Sequence, residues 1–141
     1  MYETSLVSDV VRCGYSVATG CAKGLDSIVR EICPEAVVFS VSSVGFRGRG
    51  AFAARSSQLI KSSCKLVAFV SAPCPSRCVP SRSFRGFGSG TWGSVSLAVG
   101  LGIPVVVFCP GSFLLPVWSG GSWVQIGGSS VWGSGFKWVS F

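Results

Sequence analysis

The sequence predicts an α/β domain built on a parallel sheet in three layers. Three short apolar runs carry most of that reading: Ala36-Val-Val-Phe-Ser-Val-Ser42, Lys65-Leu-Val-Ala-Phe-Val-Ser71 and Ile103-Pro-Val-Val-Val-Phe108. Each has strand length and little polar alternation, as strands buried on both faces do. Segments of helical spacing alternate with them, which is the order that right-handed strand–helix–strand crossovers require. The 141 residues, 48% hydrophobic and 12% charged, are enough for one core and too apolar for a disordered chain.

The elements follow in chain order. Ser5 to Cys13 places Leu6, Val10 and Val11 close to helical spacing, and Gly14 stops it. Tyr15 to Thr19 reads as a short strand and Gly20-Cys-Ala-Lys-Gly24 as a turn. Leu25 to Ile32 sets Leu25, Ile28, Val29 and Ile32 on one helical face before Pro34 ends it. Gly45 to Gly50 is a basic, glycine-rich loop. Ala51 to Ser63 reads as a helix. Ala72 to Gly90 is a long irregular loop holding Arg77, Arg82 and Arg85, and loops of that length are functional or disordered. Thr91 to Leu101 is a helix with Val95, Leu97, Ala98 and Leu101 apolar, and Gly102 is its C-terminal glycine. Pro104 stands at a strand start, where a missing donor is tolerated.

From Gly111 the composition shifts to glycine, serine and tryptophan (Trp118, Trp123, Trp132, Trp138). Residues 1–110 are therefore read as the α/β domain, and 111–141 as a Gly/Ser/Trp-rich extension packing on it. Trp123-Val-Gln-Ile126 and Phe136-Lys-Trp-Val139 suit a small hairpin. Its aromatics either cover an edge or face of the sheet or offer a stacking surface for bases; covering is the expectation.

Several classes are set aside. No apolar run approaches the ~18 residues of a membrane span. The N-terminus carries acids where a signal peptide would carry bases, so a cytoplasmic protein that does not meet the membrane is expected. The seven cysteines are read as reduced, buried thiols, with Cys64 and Cys109 inside apolar segments. Cys74 and Cys78 form a CxxxC pair, but with no histidine and no second close pair a metal site is not expected. The absence of histidine also removes Ser-His and Cys-His nucleophile pairs. Cys21, at a helix N-terminus, is the one conceivable nucleophile. The formal charge is +7, and all five acids (Glu3, Asp9, Asp26, Glu31, Glu35) lie in the first quarter. Such a one-signed field attracts polyanions, although net charge also serves solubility.

Two glycine-rich turns carry the functional reading. In Thr19-Gly-Cys-Ala-Lys-Gly-Leu-Asp26 a strand ends, the backbone turns and a helix begins. Free N–H groups and the helix dipole then converge on one spot that favours an anion. Lys23 can reach a phosphate, and Asp26 can order the turn. In Gly86-Phe-Gly-Ser-Gly-Thr-Trp-Gly93 a second helix opens after a loop, and Ser89 and Thr91 add hydroxyls. Arg55, in a stretch opening a helix, is a third phosphate contact. In parallel sheets ligands bind beyond the carboxyl ends of the strands, where both turns are expected.

In order, TGCAKGLD, AVVFSV, AFAARSSQLIKSSCKLVAFV and GSGTWGSVSLAVGLGIPVVVF resemble the Smf/DprA–LOG (SLOG) superfamily, a Rossmann-like group containing DprA-like DNA-processing proteins, YspA- and YpsA-like proteins and LOG phosphoribohydrolases. The resemblance covers about Tyr15 to Phe108. It implies a three-layer Rossmann-like fold and a nucleotide or nucleic-acid phosphate site. Thr19, Gly20, Cys21, Ala22, Lys23, Gly24, Asp26, Arg55, Gly88, Ser89, Gly90 and Thr91 are the residues it designates. Family members usually begin with a strand ending in a G-S-R-like turn, whereas this chain starts at what corresponds to the following helix. LOG enzymes carry a glutamate three residues beyond the GT of their motif; here Trp92, Gly93 and Ser94 follow Thr91, and no acid follows Glu35. Glycosidic cleavage needs a carboxylate or its equivalent.

The expectation is therefore a non-catalytic module that binds a nucleotide or nucleotide-derived ligand, needs no cofactor, and has single-stranded DNA as a close variant. A LOG-like nucleotide hydrolase and a partner-binding domain with vestigial turns are the alternatives; a homo-oligomer is left open.

Overall fold

The structure, a computed structural model, describes residues 8, 18–20, 37–39, 49–70, 72–87, 89–109 and 114–141. It is α/β, and it divides into two compact units, Met1–Leu59 and Ile60–Phe141.

In the first unit, β1 (Ala18–Gly20) pairs in parallel with β2 (Val37–Phe39), with Gly20 opposite Phe39. Strand β2 lies within its expected segment, whereas β1 runs one residue past its expected end, so Gly20 belongs to the strand and not to the turn. Helix α1 runs Arg49–Lys61, across the division. It begins two residues before the expected start, so Arg49 and Gly50 belong to the helix and not to the basic loop. Arg55 consequently sits mid-helix, half-buried, and does not open it.

The second unit holds a four-stranded sheet in the order β3-β4-β6-β5. Strand β3 (Leu66–Phe69) and β4 (Val105–Phe108) are parallel and joined through α2 (Gly90–Gly100). That is the expected crossover unit. The all-parallel expectation does not extend to the tail: β6 (Phe136–Ser140) lies antiparallel on β4, and β5 (Gly121–Gln125) antiparallel on β6, so this sheet is mixed. For β5 and β6 the reason is the short connection: a hairpin needs only a few residues, whereas a parallel pair would need a further crossover. Left-handed glycines Gly127 and Gly128 (φ 73° and 88°) and a 3-10 turn at Val131–Ser134 close the hairpin.

All four residues of β4 are buried, as its uninterrupted apolar run requires. Val105 and Val107 share one face with Leu97, Val95, Trp92 and Trp118; Phe108, on the other face, stacks on Phe69 at 5.2 Å and meets Trp132 at 5.9 Å. Each fully buried side chain of Leu, Val or Phe type contributes about 1.5–3 kcal/mol. Helix α2 ends as its glycine predicts. Gly102 (φ 75°) donates to the Val99 carbonyl and Ile103 to that of Ala98, the paired bonds of a Schellman ending. The Pro104 carbonyl accepts from Leu66 N–H, so the proline joins the ladder without needing a donor.

Among the described residues no helix is long and apolar enough to cross a membrane, and no group of three or more Cys, Asp or Glu is gathered to hold a metal ion.

Candidate functional site at the start of helix α2

The residues expected to bind phosphate divide three ways. Thr19 and Gly20 are the last two residues of β1, at the carboxyl end of a parallel strand. Cys21, Ala22, Lys23, Gly24 and Asp26, and likewise Gly88, lie outside the described residues. Arg55 lies in α1 of the first unit. The structure brings Ser89, Gly90 and Thr91 together at the amino end of α2, one residue earlier than the expected start.

Ser89 is the N-cap. Its backbone is extended, and its Oγ accepts from Trp92 N–H at 3.1 Å. Its hydroxyl therefore serves the helix first, whereas the sequence offered it as a ligand group. Ser89 N–H donates to the Gly86 carbonyl, and Gly93 N–H to that of Ser89. Two donors of the first turn, Gly90 N–H and Thr91 N–H, have no acceptor among the described residues. A Cβ built on Gly90 meets nothing within 4 Å, so a side chain can be added there without a clash. Thr91 is exposed. Unsatisfied N–H groups at a helix start carry its positive end.

What places the turn is a residue that sequence reasoning counted only as a missing carboxylate. Trp92 is 1% exposed, and its Nε1 donates to the Ala72 carbonyl at 2.8 Å. Ala72 lies just past β3, whose pairing continues to Val70 N–H on the Phe108 carbonyl. The start of α2 is thus bolted to the carboxyl end of the parallel strands. The available signal was the tryptophan directly after the Gly-Thr pair; a buried indole N–H needs an acceptor.

The loop from residue 72 to 87 is seated on α2 at Cys78, Ser81 and Gly86, which the sequence did not disclose. Cys78 is 1% exposed, with its Sγ 3.5 Å from the Arg85 carbonyl, the Trp92 carbonyl and Ser96 Oγ. Gly86 and Gly93 face each other so closely that a Cβ on Gly93 would lie 2.9 Å from Gly86 Cα. A Cβ on Gly100 would lie 2.1 Å from the Ser81 carbonyl oxygen. Phe87 holds a left-handed backbone (φ 49°), rare for an aromatic residue, and Arg77 sits over its ring at 5.2 Å. This fixes one guanidinium on the chain leading into the turn. Arg82 and Arg85 are exposed on the same loop.

The thiols depart in part from expectation. Cys78 is buried, Cys74 and Cys109 are half-buried, but Cys64 is exposed, because it falls in the turn between α1 and β3 and not within the strand. Cys74 Sγ lies 3.7 Å from the Cys78 carbonyl, and burial, then its neighbour Cys78, push its pKa up to about 12. A thiol held neutral in this way is a poor nucleophile.

Behind the turn stands a tryptophan cluster. Trp118 meets Trp92 edge-on at 6.3 Å, and meets Trp123 and Trp138 at 5.8 Å each; Trp123 and Trp138, cross-strand partners on β5 and β6, lie 5.2 Å apart.

No family model, no curated protein and no solved structure matches the chain. The chemistry of the turn therefore has to be judged from its own atoms.

Proposed function

We propose that the chain is a phosphate-binding module for a nucleotide or nucleic acid, of non-catalytic SLOG type on a three-layer Rossmann-like fold. The observation that carries this reading is the pair of N–H donors at Gly90 and Thr91, without an acceptor among the described residues, at a helix start tied by Trp92 to the carboxyl end of β3. Anions bind where a strand leads into a glycine-rich helix start, because donors and dipole act together. Arg77, held over Phe87, adds a charge on the same loop. From Ile60 onwards the chain has six basic residues (Lys61, Lys65, Arg77, Arg82, Arg85, Lys137) and no acid to oppose them.

Turnover is not part of the proposal. Trp92 and Gly93 follow Thr91, and the LOG glutamate position falls on Ser94, whose hydroxyl donates to the Gly90 carbonyl at 3.0 Å. No carboxylate is supplied there to handle a proton or an oxocarbenium charge.

The test is a thermal-shift titration with inorganic pyrophosphate, the four 5′-mononucleotides and a short oligothymidylate. A ligand that binds only the folded state raises the melting temperature as ln(1 + [L]/Kd). Gly90→Asp is expected to abolish the shift, since it adds bulk and negative charge at the donors. An aspartate in the first helical turn favours the helix, so the loss will not reflect unfolding. Unchanged affinity in Gly90→Asp would overturn the site. The exposed arginines of the loop favour a second reading, single-stranded DNA. It predicts a response confined to the oligonucleotide and lost steeply with salt.

A further inference from the structure

The tryptophan cluster lines a cleft of about 430 Å³, within the roughly 300–1,000 Å³ of small-ligand sites. The segment Leu114–Trp118 forms one wall, and Trp123, Phe136 and Trp138 form the other. We propose that this cleft receives the planar base of a nucleotide whose phosphate lies on the Gly90–Thr91 turn; the inference rests on the phosphate reading above.

Three features of the cleft select that occupant. The first is position. Trp138, Phe136 and Trp123 stand on the face of the sheet that also carries Val105 and Val107, because Phe136 pairs with Val107 and Trp123 with Trp138. Helix α2 covers that same face, since Val95, Leu97, Val105 and Val107 share one core. Cys109, directly after the carboxyl end of β4, lines the cleft, so its upper end opens on the edge of the sheet where α2 begins. Trp118 bridges the two: it touches Trp92 of the first turn and both tryptophans of the opposite wall.

The second is surface chemistry. Aromatic faces stack on every base, and among the described residues no charged one lines the cleft. Leu114 and Val117 at its wall are 88% and 99% exposed, apolar surface that a bound ring would cover.

The third is hydrogen-bonding capacity. Trp118 Nε1 donates to the Cys78 carbonyl and Trp123 Nε1 to that of Pro116. Those two indole donors are spent, so what this wall offers a planar ring is aromatic contact.

The experiment compares the 5′-mononucleotides with ribose 5-phosphate on the full chain, by titration calorimetry and tryptophan fluorescence, for wild type, Trp138→Ala and Gly90→Asp. Base stacking is worth about 1–3 kcal/mol, or about 5- to 150-fold in affinity. At least one nucleotide is expected to bind that much more tightly than ribose 5-phosphate and to quench tryptophan emission, while ribose 5-phosphate leaves emission unchanged. Trp138→Ala should cancel the nucleotide's advantage and spare ribose 5-phosphate. Gly90→Asp should weaken both. Equal binding of nucleotide and ribose 5-phosphate without quenching overturns the base cleft and leaves the phosphate site standing. Binding of neither overturns the phosphate reading and the inference with it. The quenching comparison needs no variant, so it decides the matter even where Trp138→Ala does not fold.

Discussion

Replacing Gly100 by alanine asks whether the long loop is truly seated on α2. The added Cβ would lie 2.1 Å from the Ser81 carbonyl oxygen and 2.4 Å from its carbon. These are backbone atoms, so relief requires the loop to move. Overpacking of a close-packed contact costs about 1–3 kcal/mol, and backbone obstruction puts this case toward the upper end. Alanine in a helix returns about 1 kcal/mol of glycine's entropy cost. The net expectation is a loss of about 2 kcal/mol. Gly90→Ala is the control, because its Cβ meets nothing within 4 Å and its helical backbone suits alanine. It should gain about 0.4–1 kcal/mol. Urea unfolding followed by tryptophan emission is the assay, since all five tryptophans lie between Ile60 and Phe141 and report on that unit. With a slope of about 1–1.5 kcal/mol/M for a unit of this size, the Gly100→Ala midpoint should fall by about 1–2 M and that of Gly90→Ala rise by a few tenths of a molar. A wild-type midpoint for Gly100→Ala would refute the packed loop, and with it the account of how Arg77 is held near the turn.

Three further outcomes are expected. Ser89→Ala removes the cap on Trp92 N–H and should cost about 1 kcal/mol in the same assay; no loss would show that the cap carries no weight. Trp92→Phe deletes the 2.8 Å bond to Ala72 and should both destabilise the unit by about 1 kcal/mol and weaken pyrophosphate binding; intact binding would show that the bolt does not set the turn. Cys74 has a folded pKa raised from 9.0 to about 12, so the unfolded chain releases that proton first as pH rises. The stability this adds is full below pH 9 and is lost between pH 9 and about 12. Cys74→Ser should flatten that part of the pH–stability curve, and iodoacetamide at pH 8 should label exposed Cys64 well before Cys74; equal labelling would contradict the burial.

Legibility in the sequence followed the strength of the local signal. The runs at Leu66–Phe69 and Val105–Phe108 announce buried strands, because apolar continuity is what two covered faces demand. Gly102 announced the end of α2 for the same kind of local reason. The boundary of α1 was missed because Arg49 and Gly50 look like loop residues, and glycine and arginine decide nothing without their neighbours. The antiparallel placement of β6 on β4 is a long-range fact that no local spacing records. The glycine turn at Gly90 was legible from strand, loop and helix order. What fixes it was not, since the acceptor for Trp92 is the Ala72 carbonyl, a backbone atom with no residue signature. The seating of Cys78 and Ser81 against α2 is equally silent in sequence, being a matter of which small residues face one another.

The account stands or falls on the two open donors of α2. Amide resonances of Gly90 and Thr91, followed by nitrogen–proton correlation spectra during titration with pyrophosphate and then with a mononucleotide, test them directly. Both amides are expected to shift saturably and together, while that of Gly102, past the opposite end of α2, stays in place. Saturable shifts elsewhere with Gly90 and Thr91 unmoved, or no shifts at all, would contradict the phosphate site.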